Sequence, residues 1–396
     1  MQLLDKEILN SMRILYITNG YPSCVDLSFC VFSQRLVNEW VDQGNECTVI
    51  CPRKLPGEKP IPGKYEEQYT PKGNMVKVYF PSYLCTGLTA RWEKDPFRDW
   101  SFKNFYSAAV KIIESENLKF DVVYAQFLGI SGWCAVKIAE KYHCNCFADA
   151  GESRFRFLED RLLERNFSIK YLNKLTGIVS VSTQNKELLL DNGILDENKI
   201  KVFPNGIDDS HFYPRNKETA RQKFGFKNKD IIISFVGHYI DRKGPLRVEA
   251  ACRNLPVKVA YAGKGPEVPT ADNTIWTGPI KPEDIPEFLS SSDIFVLPTL
   301  NEGCCNAIIE ALACGLPVVS SDRLFNIDIL DDQCSICVNP ESVEEIRFAI
   351  QKLLDDSDLR SRMSLAAASK GNSLSLHNRA IGILEWMKTF EEGVQL

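Results

Sequence analysis

The chain has 396 residues, 44% of them hydrophobic and 25% charged, and carries a formal net charge of -5. That length gives two globular domains, each able to bury a core, and the acidic balance argues against a dedicated nucleic-acid binder, which shows a basic excess. No run of about 18 apolar residues exists, so no membrane-spanning helix is expected, and the opening MQLLDKEILNSMRILYITNG, with its early acids and no continuous apolar core, does not read as a secretion signal.

Met12 stands just before the first strand, so residues 1–11 read as a short extension or a misplaced start. Near-continuous apolar strands are predicted at Arg13–Thr18, Glu46–Cys51, Asp121–Gln126, Asn145–Ala150 and Gly177–Ser182. Helical stretches lie among them, such as Phe32–Gln43, ended by Gly44, and Gly132–Tyr142. Strands apolar on both faces that alternate with helices indicate a parallel α/β sheet. The Pro-, Gly- and Lys-rich stretch Pro52–Asn74 is expected to be a long loop, and Arg91–Tyr106 a loop with a surface helix. The segment Arg154–Lys174 interleaves Lys and Arg with Phe and Leu. It reads as a solvated amphipathic helix, with docking on the inner face of an anionic membrane as the alternative.

The segment KVFPNGIDDSHFYP, Lys201–Pro214, is rich in Pro, Gly, Asn and Asp and reads as a linker or crossover. The strand–helix pattern then restarts, with strands at Asp230–Val236, Val257–Ala262, Thr274–Thr277, Asp293–Leu297 and Pro317–Ser320. A last helix is expected at about 375–390, able to pack against either unit. The fourteen cysteines are scattered through the chain, which fits reduced thiols and a cytoplasmic location. Cys334 and Cys337, in a strand-like run without a second ligand pair, read as buried small hydrophobes rather than a metal or redox site, as do Cys144 and Cys146.

One stretch carries chemistry. In open parallel sheets, ligands bind beyond the carboxyl ends of the strands. The strand DIFVLP ends at Pro298, a loop follows, and a helix is expected from Asn306 to Cys314, closed by Gly315 and Pro317. Free N–H groups at the helix start favour an anion, so a phosphate near Gly303–Asn306 is physically reasonable. Glu310 leans back toward Glu302 because helical side chains tilt toward the N-terminus. Two carboxylates beside a phosphate make sense if each accepts hydrogen bonds from a vicinal diol, which a nucleotide sugar offers on both sides of its diphosphate. No G-x4-GK-[ST] phosphate loop occurs, and GKGP is too short to serve as one. Asp356-Ser357-Asp358, the DxD-like element, looks like a helix N-cap.

The frame LP-x3-EG-x6-EA-x2-CG-x-PVV resembles that of the retaining glycosyltransferases of family 4. VSTQNKELL, VFPNGIDDSHFYP, FVGHYIDRKG, AGKGPE and TGPIKPEDIPEFLSSSDIFVLP follow in that family's order. The resemblance implies the GT-B fold, two Rossmann-like α/β domains facing each other across a donor-binding cleft. Residues 12–203 would form the acceptor-side domain and 204–374 the nucleotide-sugar domain, with the helix near 375–390 packing back on the first. Lys243 would bind the donor diphosphate, Glu310 the ribose hydroxyls, and Glu302 the transferred sugar near the reacting centre. The amides of Gly303, Cys304, Cys305 and Asn306 would hold sugar or phosphate oxygens. Gly263 and Ile280 would lie near the base, and Gly237, His238 and Arg242 along the phosphate loop. His238 stands where the family has arginine, and Arg242 is the nearby substitute. Gln126, Glu152 and Asn205 are the acceptor-side candidates; Gln126 replaces a histidine common in the family, and Cys30 a glycine.

The function so implied is retaining transfer of a sugar from a nucleotide-sugar donor to a glycan or lipid-linked acceptor in cell-surface polysaccharide assembly. No metal and no other cofactor is expected. Two readings stand beside it. One is a GT-B epimerase or phosphorylase. The other is a non-catalytic partner subunit, motivated by His238, Gln126 and Cys30.

Overall fold

The computed structural model describes residues 11–57, 63–85, 98–152, 154, 155, 158 and 162–390. They fall into two compact units. The first takes the described residues up to Val181, then Asn185–Phe203 and the described residues from Ala380 on; the second takes Ser182–Gln184 and Pro204–Arg379.

The strands of the first unit are β1 Arg13–Ile17, β2 Glu46–Ile50, β3 Arg53–Leu55, β4 Tyr65–Tyr69, β5 Met75–Tyr79, β6 Ser82–Leu84, β7 Val122–Ala125, β8 Asn145–Ala150, β9 Gly177–Ser180 and β10 Ile200–Val202. Its helices are α1 Val31–Asp42, α2 Arg98–Ser115, α3 Ile130–Tyr142, α4 Leu162–Leu172 and α5 Thr183–Asp191. Eight strands form one sheet in the order β10-β9-β8-β7-β1-β2-β5-β4, parallel except where β4 pairs antiparallel with β5. β7 and β9 are buried at every residue, as strands covered on both faces must be.

The stretch Pro52–Asn74 departs from expectation: it holds β3 and the sheet-edge strand β4. The sequence YEEQY alternates exposed and half-buried residues, a charged edge strand whose polarity hid its pairing. The segment Arg154–Lys174, expected as a solvated amphipathic helix with membrane docking as the alternative, lies partly outside the described residues, as do residues 91–97 of the aromatic stretch. In its described part, Phe155, Tyr171 and Leu172 are buried in the core of the first unit and Phe167 packs against it. These described apolar residues are therefore already covered.

The second unit has strands β11 Ile232–Val236, β12 Lys258–Ala262, β13 Thr274–Gly278, β14 Ile294–Leu297, β15 Val318–Ser321 and β16 Ser335–Val338. Its helices are α6 Lys217–Phe224, α7 Pro245–Cys252, α8 Ile285–Ser290, α9 Asn306–Ala313, α10 Val343–Asp355 and α11 Ser357–Ser373, and α12 Leu376–Lys388 follows them. The sheet order is β13-β12-β11-β14-β15-β16, parallel throughout. The chain winds outward from β11 on one side and from β14 on the other, so the order of strands reverses between them. That junction is where open α/β sheets hold their ligands.

From Ala380 on, α12 belongs to the first unit, where Trp386 packs against Phe147 with ring centroids 5.6 Å apart and Trp40 Nε1 donates to the Ala380 carbonyl at 3.1 Å. Asp356 caps α11, its carboxylate accepting from the Leu359 amide at 2.7 Å. All fourteen cysteines are free thiols. Cys334 and Cys146 are buried and Cys144 half-buried, whereas Cys337 is exposed, contrary to the reading of that pair as buried. Residue 337 has its side chain on the outer face of an edge strand. Among the described residues no cluster of His, Cys, Asp and Glu could hold a metal ion, and no helix is long and apolar enough to cross a membrane.

Candidate functional site

In the second unit, the loops that leave β11 and β14 emerge side by side, because β11 pairs with β14. The first loop, Gly237–Gly244, turns sharply into α7. Gly244 sits at the helix N-cap with φ +76°, a left-handed conformation that suits glycine, and Pro245 opens the helix. Leu300 N donates to the Arg242 carbonyl at 2.8 Å, and Thr299 Oγ1 lies 3.1 Å from the same oxygen. Arg247 adds a second tie, donating to Asp241 Oδ1 at 2.5 Å and to the Pro298 carbonyl at 3.1 Å. The two loops are thus one structure.

Their side chains meet on a single oxygen. Glu302 Oε1 lies 2.6 Å from Lys243 Nζ and 2.5 Å from Arg242 Nη1, and it accepts from Thr299 Oγ1 at 3.0 Å. Lys243 and Glu302 are each only 9% exposed. A carboxylate and an ammonium removed from water are tolerable because each is paired. Lys243 Nζ also lies 3.9 Å from Cys305 Sγ, and burial pushes the Cys305 thiol up, so this cysteine is a neutral neighbour of the cation.

Behind this cluster, α9 starts at Asn306 with Cys305 at its N-cap and no side chain bonded to the cap. Gly303 is buried, Cys304 half-buried, Asn306 exposed and Glu310, one turn on, half-buried. Asn205 joins this end of the helix: its backbone N–H faces Cys304 Sγ at 3.4 Å and its Nδ2 donates to Asn306 Oδ1 at 2.8 Å. Asn205, expected on the acceptor side, thus lies at the start of α9 within the second unit.

A second wall comes from the loops after β12 and β13. A β carbon at Gly263 would stand 1.8 Å from the Gly237 carbonyl oxygen, so only glycine fits. Tyr239, buried between these loops, donates its hydroxyl to the Tyr261 carbonyl at 2.7 Å and accepts from the Gly278 amide at 3.0 Å. Ile280 packs partly buried against the Phe288 cluster. His238 is exposed on the β11 loop; the guanidinium on Glu302 is that of Arg242, four positions later.

The first unit carries the remaining candidates at the carboxyl ends of β7 and β8. Gln126 is 4% exposed, and its Oε1 accepts from Tyr16 Oη at 2.6 Å. Glu152 accepts from the Leu128 amide through Oε1 at 3.2 Å. Burial, assisted by the charge of Asp149, raises its carboxyl to about 8. Thr299, Arg247 and Tyr239 were not anticipated. The Thr that follows the strand DIFVLP was the one local signal; the other two act through distant backbone.

A family model described as Glycosyltransferase Family 4 matches residues 31–211, and one described as Glycosyl transferases group 1 matches residues 216–370. A Bacillus subtilis protein named for teichuronic acid biosynthesis, the glycosyltransferase TuaC, is 25% identical over 369 residues, 86% of this chain and 89% of that protein. An Escherichia coli UDP-Gal:alpha-D-GlcNAc-diphosphoundecaprenol alpha-1,3-galactosyltransferase is 28% identical over 203 residues, about half of each protein at 46% and 52%. Among solved structures, a sucrose-phosphate synthase from Thermosynechococcus elongatus superposes with a TM-score of 0.74 at 15% identity, covering 96% of this chain and 100% of that one. Anabaena Alr3699/HepE, solved in complex with UDP, gives 0.70 at 14% identity, with 96% and 100% covered.

Proposed function

The chain belongs to glycosyltransferase family 4 and has the GT-B fold, and from that premise we propose that it moves a sugar, with retention of configuration, from a nucleotide-sugar donor to a glycan or lipid-linked acceptor. The observation that carries this reading is the cluster at the β11–β14 junction. Two cations, Lys243 and Arg242, converge on Glu302 Oε1, beside the open start of α9 and one turn from Glu310. Lys243 and Arg242 supply the charge that a diphosphate needs, with the fork of Arg242 suited to two phosphate oxygens. Glu302, drawn to the same place, accepts hydrogen bonds from the sugar hydroxyls, and Glu310 from the ribose diol. Gly237, His238, Gly263 and Ile280 border the base and phosphates, and the amides of Gly303, Cys304, Cys305 and Asn306 face sugar or phosphate oxygens. Gln126 and Glu152 stand on the acceptor side.

In the reaction, the bond from the anomeric carbon to the diphosphate oxygen breaks and a bond to the acceptor oxygen forms on the same face. The acceptor's proton passes to the departing phosphate. The residues contribute positioning and charge stabilisation, with Lys243 and Arg242 doing for the leaving group what a metal ion does elsewhere. The likeness to TuaC along most of both chains supports a place in cell-surface polysaccharide assembly.

A melting-temperature screen with UDP, GDP, ADP, dTDP and their common sugar conjugates tests the reading, since a ligand that binds the folded state alone raises the melting temperature. One nucleotide family is expected to raise it, and Lys243→Ala to abolish the rise. No rise with any of them overturns the proposal.

A further inference from the structure

Away from the Glu302 cluster, the carboxyl ends of β7 and β8 in the first unit hold two features that packing alone does not account for. Phe127, the second residue beyond β7, has φ +71°. A bulky side chain in the left-handed region is an outlier, and such residues persist where the surroundings fix them, typically at functional sites. Its ring is half-buried and meets Phe32 edge-on, with centroids 5.8 Å apart and planes at 61°. Gly151 is another neighbour of the ring: a β carbon built on it would lie 3.4 Å from Phe127 Cε1. The next residue is Glu152. Its Oε1 is held by the Leu128 amide at 3.2 Å and its backbone carbonyl by Asn185 Nδ2 at 2.9 Å. Its Oε2, by contrast, is buried with no hydrogen-bond partner among the described residues.

A buried carboxyl oxygen without a partner is costly and calls for an explanation, such as a bound water or a ligand hydroxyl. An aromatic ring in a strained backbone beside it is a second cost at the same place. The two have complementary chemistry. A pyranose has an apolar face of C–H groups that lies on an aromatic ring and hydroxyls at its rim that both donate and accept. Burial keeps a proton on Glu152, so its carboxyl can also donate and accept, which matches a hydroxyl better than a charged group would.

We infer that Phe127 and Glu152 form a subsite for the acceptor's sugar ring, with Phe127 as the platform and Glu152 as the hydroxyl anchor. The inference rests on the transferase reading and names for it the acceptor chemistry: a neutral pyranose. Phe127 and Glu152 are positioning residues. They orient the acceptor hydroxyl and take no part in bond breaking.

The test uses the full chain and three probes, the methyl α-glycosides of glucose, galactose and N-acetylglucosamine, each in large excess, with saturation-transfer NMR as the readout. At least one glycoside is expected to receive saturation from the wild type. Phe127→Gly and Glu152→Ala should each weaken that signal at least tenfold, and Glu152→Gln should restore part of it. Phe127→Tyr, which keeps the aromatic face, should retain the signal that Phe127→Gly loses. Equal signals from wild type, Phe127→Gly and Glu152→Ala overturn the inference. So does the absence of any glycoside signal from a wild type whose melting temperature responds to a nucleotide, and the donor reading then stands without this subsite. Failure of the nucleotide response itself removes the transferase reading on which the subsite depends, so the two failures are separable.

Discussion

Replacing Lys243 with methionine removes one cation from the Glu302 cluster while keeping most of the side-chain volume. In the wild type, Lys243 Nζ lies 2.6 Å from Glu302 Oε1, and a hydrogen bond to a charged group contributes about 1.5–3 kcal/mol net. Orphaning a buried ion would cost about 3–5 kcal/mol. That larger figure does not apply, because Arg242 Nη1 at 2.5 Å and Thr299 Oγ1 at 3.0 Å remain on the same oxygen. Stability should therefore fall by about 1.5–3 kcal/mol. At roughly 2–4 °C per kcal/mol for a domain of this size, the melting temperature drops by about 3–12 °C. The nucleoside diphosphate found in the melting screen should bind at least about tenfold more weakly, equivalent to about 1.4 kcal/mol. Scanning fluorimetry measures the first effect and titration calorimetry the second. Diphosphate affinity equal to wild type, with the expected loss of stability, would show Lys243 to be a structural partner of Glu302 alone and would refute its assignment to the donor.

Glu302→Gln should separate binding from transfer. It removes the anion that competes for Lys243 and Arg242, so calorimetry should show nucleoside diphosphate binding unchanged or tighter, while the rate of sugar transfer falls at least about tenfold; weaker binding with full transfer would contradict the arrangement. Gly263→Ala places a methyl 1.8 Å from the Gly237 carbonyl oxygen, so urea unfolding should show a loss of about 1–3 kcal/mol or more together with weakened nucleotide binding. Glu152 gives a pH dependence of stability. Its folded carboxyl titrates at about 8, raised from 4.5 by burial, so between those values the folded state holds a proton that the unfolded state has lost. Stability must then fall as pH rises through that window. Glu152→Gln should flatten the fall in melting temperature, and parallel profiles for the two proteins would exclude the buried, protonated carboxyl.

Much of this protein is written in local pattern. The fully buried runs of β7, β9, β14 and β15 read as parallel strands because covering both faces demands continuous apolarity. Glu302, Gly303 and Glu310 stood out because one loop and one helix turn carry them within a few positions. The tertiary structure decided the rest. YEEQY became an edge strand through its partner β5, although its composition is that of a loop. Arg242, rather than His238, reached Glu302 from 60 positions away, an encounter set by β11 lying against β14 and by Arg247 and Leu300 tying their loops together. Gln126 was spent on Tyr16, and Glu152 was left, among the described residues, with an unmet oxygen beside Phe127. Hydrophobic period is a property of neighbouring residues, so it is legible along the chain. The direction of a loop side chain, and the burial that shifts its proton, depend on which strands end beside each other, and only the assembled sheet fixes that.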